Sequence, residues 1–140
     1  MAVDLVIIQK RLQKLEDYIK ILREYQIVPL EKFKQDLQIH STVERHFELA
    51  IECLLDIGNH IISAQSFRNP EDYRDIIAIL GEENVIPSDF AKSFTPIASF
   101  LNILVHEYIT LDLDIVYKYL QSNLDDFVKF TKSIIEYLDL

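Results

Sequence analysis

With two glycines, Gly58 and Gly81, in 140 residues, this chain has few places to turn sharply. Tight hairpins draw on residues that accept positive φ, above all glycine, so a fold built from many short strands is starved of its turns. The apolar residues agree. They return at steps of three and four, the rhythm of a buried helical stripe, and nowhere alternate at the period of two that a half-buried strand requires. Hydrophobic residues make up 49% of the chain and prolines number four. That leaves enough material for one real core and few interruptions. The expectation is an all-α fold: one domain over residues 1–140, an up-and-down bundle of four to five main helices with short additional ones.

The first helix is predicted from Val3 to Tyr25, with Leu5, Ile8, Leu12, Leu15, Ile19 and Leu22 on its buried stripe and Lys10, Arg11, Lys14, Lys20 and Arg23 around it. Pro29 closes this segment. Leu30 to Ile39 reads as a short helix. Ser41-Thr-Val-Glu44 has the form of a capping box for a long one that reaches about Ser66. Val43, Phe47, Ala50, Ile51, Leu54 and Ile61 are its core stripe, and Arg45, Glu48, Glu52, Asp56 and Asn59 lie opposite. Gly58 inside this helix costs about 1 kcal/mol relative to alanine, which points to a neighbour in close approach. A compact helix from Glu71 to Leu80 follows, with Gly81 as its stop signal. Ser88 is a candidate cap for the next helix. At Pro96 the pattern either kinks or restarts with Thr95 as cap. Asp112 caps a last helix that runs to Leu138.

Several functions are disfavoured at this level. The single thiol, Cys53, excludes an intramolecular disulfide and, between helical leucines, reads as structural rather than nucleophilic. That usage fits a reducing compartment, and a cytoplasmic protein is expected. No signal peptide pattern opens the chain, and no run approaches the roughly 18 apolar residues of a membrane span. The formal net charge of −9 opposes constitutive, tight nucleic-acid binding and permits brief contact at one locally basic cleft. His40, His46, His60 and His106 form no ligand cluster, and Asp56 with His60 lacks a specified third ligand. No glycine-rich phosphate loop is present. Neither a metal nor another cofactor is expected.

The chemistry concentrates between Ala98 and Asp112. On a helix, Phe94, Ile97, Leu101, Leu104, Val105 and Tyr108 form an apolar seam, while Ser99, Asn102 and His106 form a narrow polar strip. A histidine can exchange protons near neutral pH, and a tyrosine hydroxyl can orient a phosphate or accept one. Leu101, Val105 and Tyr108 are a candidate subunit interface, with intramolecular core as the other reading.

The run Asn102-Ile-Leu-Val-His106-Glu-Tyr108, followed by Asp112-Leu-Asp-Ile-Val116-Tyr117, resembles the signature of HepT-like toxins of the HEPN superfamily. The resemblance extends through Val43-Glu44-Arg45, Leu54-Leu-Asp56-Ile-Gly58-Asn59-His60, Tyr73-Arg-Asp and Ile79-Leu-Gly81-Glu, and covers about Val43 to Gln121. It implies a HEPN-type helical homodimer whose motifs line a shared cleft. The implied activity is that of a metal-independent endoribonuclease acting on RNA transiently. Its implied antitoxin is a minimal nucleotidyltransferase (MNT) that silences the toxin by AMPylation of the motif tyrosine. Carried onto this chain, His106 becomes the general acid/base, Asn102 the orienter, Tyr108 the phosphate contact and AMP acceptor, and Arg45 a cation near the cleft. One position departs. Five residues before His106, where the family motif has arginine, stands Leu101, which offers neither charge nor donors to a phosphate. Three accounts stay open: an inactivated variant, a natural loss of catalysis, or compensation by another cation, with Arg45 first in line. The alternative function is a non-catalytic HEPN module that still pairs with a nucleotidyltransferase.

Overall fold

The computed structural model describes residues 2–107 and 109–140, and eight α-helices hold most of them. In order they are α1 (Leu5–Glu24), α2 (Leu30–Gln35), α3 (Leu37–Ala64), α4 (Tyr73–Glu82), α5 (Ser88–Phe94), α6 (Pro96–His106), α7 (Leu113–Ser122) and α8 (Leu124–Leu138). No strand occurs among the described residues. The all-α expectation holds.

The frame is the α1–α3 pair. The backbone N–H of Asp4 donates to His60 Nε2, Cys53 Sγ donates to the Arg11 carbonyl, and Tyr18 meets His46 edge to face. As the α1 number rises the α3 number falls, so the two helices run antiparallel. Ile8, Leu12, Leu15, Ile19 and Leu22 of α1 are all buried on this seam. Helices α4 and α6 also pack on α3, α5 packs on α4, and α8 closes against α1. At the centre Phe47 sits 5.3 Å from Phe100 and 6.3 Å from Phe127, centroid to centroid. One continuous apolar core joins all eight helices.

The helix boundaries correct several expectations. The break before the long helix falls at Asp36, whose backbone is extended (φ −96°, ψ 103°) and whose carboxylate accepts from the Ile39 N–H. That bond holds the Asp36 carboxyl below its ordinary range. Ser41 is already inside α3, so no capping box forms there, and Glu44 instead meets His40 Nδ1 at 2.7 Å. Pro87, not Ser88, holds the cap position of α5. A new helix does start at Pro96 with Thr95 at its cap position, but Thr95 keeps helical angles (φ −53°, ψ −33°) and its hydroxyl donates to the Lys92 carbonyl, so its side chain makes no cap bond. Asp112 does cap α7, through the Asp114 N–H, but the predicted last helix is split at Asn123.

The two glycines serve one purpose. A Cβ on Gly58 would lie 2.8 Å from Ile76 Cγ2 and 3.1 Å from Leu80 Cδ1, so the predicted close neighbour is α4. Gly81 is not a stop signal. It lies inside α4, buried, and the left-handed residue beyond that helix is Asn84 (φ 58°). A Cβ on Gly81 would fall 2.4 Å from the Ala91 Cβ, an atom fixed to the α5 backbone. Gly81→Ala is therefore expected to lower the melting temperature, although alanine favours a helix interior by about 1 kcal/mol over glycine. Adding Ala91→Gly to it should restore most of the loss. Thermal unfolding followed by circular dichroism compares the two variants, and a single mutant as stable as the parent would contradict the contact.

The loop before α4 is stapled by Arg68, whose guanidinium donates to Asp75 (2.7 and 2.8 Å) and to Glu82 (2.8 and 3.0 Å). These bonds hold both carboxyls below their ordinary range.

Candidate active site

Pro96 starts α6, and helical winding then turns Phe100, Leu101 and Leu104 into the core while Asn102 and His106 face outward. Within α6, the outward Asn102 and His106 and the buried Ile97, Leu101 and Leu104 are thus two faces of one helix, while Phe94 of the expected seam lies in α5. Asn102 and His106 stand one turn apart, both exposed, so a group bound between them would be reached by an amide and an imidazole at once. His106 is the last residue of α6, with Glu107 as C-cap through an N–H bond to the Ile103 carbonyl. The Thr110 N–H donates to the Glu107 carbonyl, and Asp112 caps α7. Tyr108 lies outside the described residues.

The seam divides. Leu101 is 2% exposed and belongs to the intramolecular core, whereas Val105 is 39% exposed beside His106, and Ile109 just beyond is 83% exposed. Of the seam residues named as a candidate interface, Val105 is available and Leu101 is not. Val105 and Ile109 thus leave apolar surface exposed close in sequence to the polar pair.

Arg45 lies on the exposed side of α3, two residues from Phe47, whose ring meets Phe100 of α6. Its guanidinium pairs with the Glu48 carboxylate one turn along, which offsets part of its charge. Nearby, burial first and then the Glu48 charge push the Glu52 carboxyl up. A second arginine, to which the sequence assigned no role, does touch the strip. Arg74, in the first turn of α4, donates from Nη1 to Ser99 Oγ at 2.9 Å. No periodicity links residues 25 positions apart, so only the packing of α4 beside α6 reveals this pair.

The other three histidines are bonded within the fold. His46 Nδ1 is bonded to the Thr42 carbonyl, His40 to Glu44, and His60 Nε2 accepts from Asp4 N–H. Among the described residues no group of three His, Cys, Asp or Glu side chains is placed to hold a metal ion. Cys53 is half-buried and its thiol is pushed up to about 11, chiefly by burial and then by Asp56, so it is a poor nucleophile at neutral pH. None of the helices described is long and apolar enough to cross a membrane.

An all-α bundle that ends its sixth helix in an exposed Asn-x3-His pair defines a recognisable class. The family model described as ribonuclease HepT-like matches residues 15–134, and the chain belongs to that family. It is 33% identical over 99 residues to the mRNA nuclease HepT of Shewanella oneidensis, covering 71% of this chain and 74% of that one. It is 26% identical over 137 residues to the tRNA nuclease HepT of Aphanizomenon flos-aquae, covering 95% and 90%. The fold superposes with a TM-score of 0.84 on the tri-AMPylated Shewanella oneidensis HEPN toxin solved in complex with MNT antitoxin. That match is at 29% identity and covers 93% of this chain and 97% of the toxin.

Proposed function

We propose that this chain is the toxin half of a HEPN/MNT pair: a cytoplasmic, homodimeric, ribonuclease-type protein silenced by AMPylation of Tyr108. The observation that carries this reading is the Asn102–His106 pair, exposed at the end of α6 and flanked by exposed Val105 and Ile109, in a chain of the HepT-like family. Two relatives are named as an mRNA and a tRNA nuclease, and a structural neighbour is AMPylated and bound to an MNT antitoxin.

In the proposed reaction the His106 imidazole takes the proton of a ribose 2′-hydroxyl as that oxygen attacks the adjacent phosphorus. The 5′-oxygen leaves and takes up a proton, giving a 2′,3′-cyclic phosphate and a 5′-hydroxyl end. Asn102, one turn away, orients the reacting phosphate. Arg45 supplies positive charge, weakened by its Glu48 partner. Leu101 contributes none, so turnover by this chain is slow. A second subunit covers Val105 and Ile109 and brings the second motif to the same cleft. In silencing, the Tyr108 hydroxyl attacks the α-phosphorus of ATP on the nucleotidyltransferase, forming the tyrosyl–AMP ester and releasing pyrophosphate.

Burial of Leu101 favours one further reading, in which the chain keeps dimer and partner but has lost cleavage altogether. Incubation with the cognate nucleotidyltransferase and ATP, followed by peptide mass spectrometry, is expected to find AMP on Tyr108 under either reading. An unmodified Tyr108 would remove the antitoxin claim from both. Light scattering at micromolar concentration is expected to report a dimer, and a monomer would remove the shared cleft.

A further inference from the structure

The polar strip of α6 is longer than its motif. Thr95, Ser99, Asn102 and His106 follow one another at steps of four, three and four, and Ser99 lies about 10 Å along the axis from His106. That distance is too long for one phosphate to touch both and suits a short stretch of nucleic-acid backbone. Arg74 stands at this far end, bound to Ser99 Oγ at 2.9 Å. Its charge is uncommitted: the ion pairs among the described residues use Arg23, Lys32, Lys34, His40, Arg45 and Arg68, and none uses Arg74. Two of the neighbouring carboxylates are bonded within the fold. Asp75 is held by Arg68 and by the Glu71 N–H, and Asp72 accepts the Asp75 N–H as the cap of α4. With Glu71 and Thr95 they line the groove of about 300 Å³ beside Arg74, and the negative charge of these carboxylates disfavours an anion there relative to one lying along α6. In a chain of net charge −9, Arg74 is a cation held by a neutral hydroxyl rather than by a carboxylate, and it stands against the polar strip of α6, where a polyanion would meet it.

We propose that Arg74, oriented by Ser99, binds a backbone phosphate of single-stranded RNA flanking the bond presented to His106, and so supplies part of the grip that Leu101 cannot. This rests on the ribonuclease reading. Charge attraction of this kind carries affinity without sequence preference and is lost with salt, each phosphate contact on a single strand adding roughly 0.7 to the slope of log K against log salt. Ser99 acts only by holding the guanidinium.

The test uses the full chain and a fluorescein-labelled, 2′-O-methylated RNA oligonucleotide, which lacks the attacking hydroxyl and stays intact. Binding is followed by anisotropy across a salt series. Arg74→Ala is expected to weaken binding by roughly tenfold at low salt and to reduce the salt slope by about one contact. Arg74→Lys should keep the slope, and Ser99→Ala should weaken binding less than threefold with the slope kept. Circular dichroism melts check that the variants are folded. If Arg74→Ala binds with the parent's affinity and slope, or Arg74→Lys loses as much as alanine does, this proposal is overturned and the ribonuclease reading stands. If the unchanged chain shows no salt-dependent RNA binding at all, the ribonuclease reading falls and takes this proposal with it.

Discussion

Cleavage of RNA by the Leu101→Arg form is expected to exceed that of the unchanged chain by roughly 100- to 1000-fold, the usual worth of one charge-stabilising donor in an active site. The pentacovalent phosphorane that forms on 2′-oxygen attack carries more negative charge than the diester, so a cation there stabilises the transition state selectively. A guanidinium also offers paired donors to phosphate oxygens, which a leucine lacks entirely. Leu101 is 2% exposed, so the new side chain must lay its stem along the core edge and bring its head out toward Asn102 and His106, as long cationic side chains do. The variant should therefore melt lower than the parent while cutting faster. Leu101→Lys, a point charge without the planar fork, should gain less. Rates come from single-turnover assays on a labelled RNA, and an arginine form no faster than the parent would contradict the role given to this position.

Phe47→Ala is expected to destabilise the fold by about 3–5 kcal/mol. Phe47 is fully buried and joins α3 to α6 through Phe100 and to α8 through Phe127. Its truncation opens a cavity between elements that cannot all close in. Leu37→Ala is the control: that leucine is 69% exposed at the start of α3, and its loss should stay within about 0.5 kcal/mol. Urea unfolding at equilibrium measures both. Equal shifts would show that the core has been placed wrongly. Because Phe100 precedes Leu101, Phe47→Ala should also reduce whatever cleavage the arginine form gains.

Legibility in the sequence followed the range of the force involved. Burial repeats along a helix, so the α1 stripe from Ile8 to Leu22 and the outward face of Asn102 and His106 were readable from spacing alone. Capping is a competition between neighbours, and spacing does not decide it. Ser41 and Glu44 have the right types, but Asp36 takes an extended backbone first and α3 has already begun. Gly81 resembles a helix terminus by residue type, since glycine often ends helices, whereas here it admits Ala91. Asn123 divides the last helical pattern without a proline or glycine to announce it. At the site, Leu101 looks like ordinary core by periodicity and is core in the structure; only the family resemblance makes it conspicuous. Arg74 and Ser99 meet through packing between helices, which no local pattern encodes.

The proposed ribonuclease centre rests on His106 as its proton-transfer group and on the weakness that Leu101 confers in place of an arginine. It is tested most directly by incubating one RNA, in the presence of EDTA, with the Leu101→Arg form and with the same form carrying His106→Ala. The first is expected to yield fragments ending in 2′,3′-cyclic phosphate and the second to leave the RNA intact. Intact RNA with the first, or fragments that persist in the absence of His106, would contradict it.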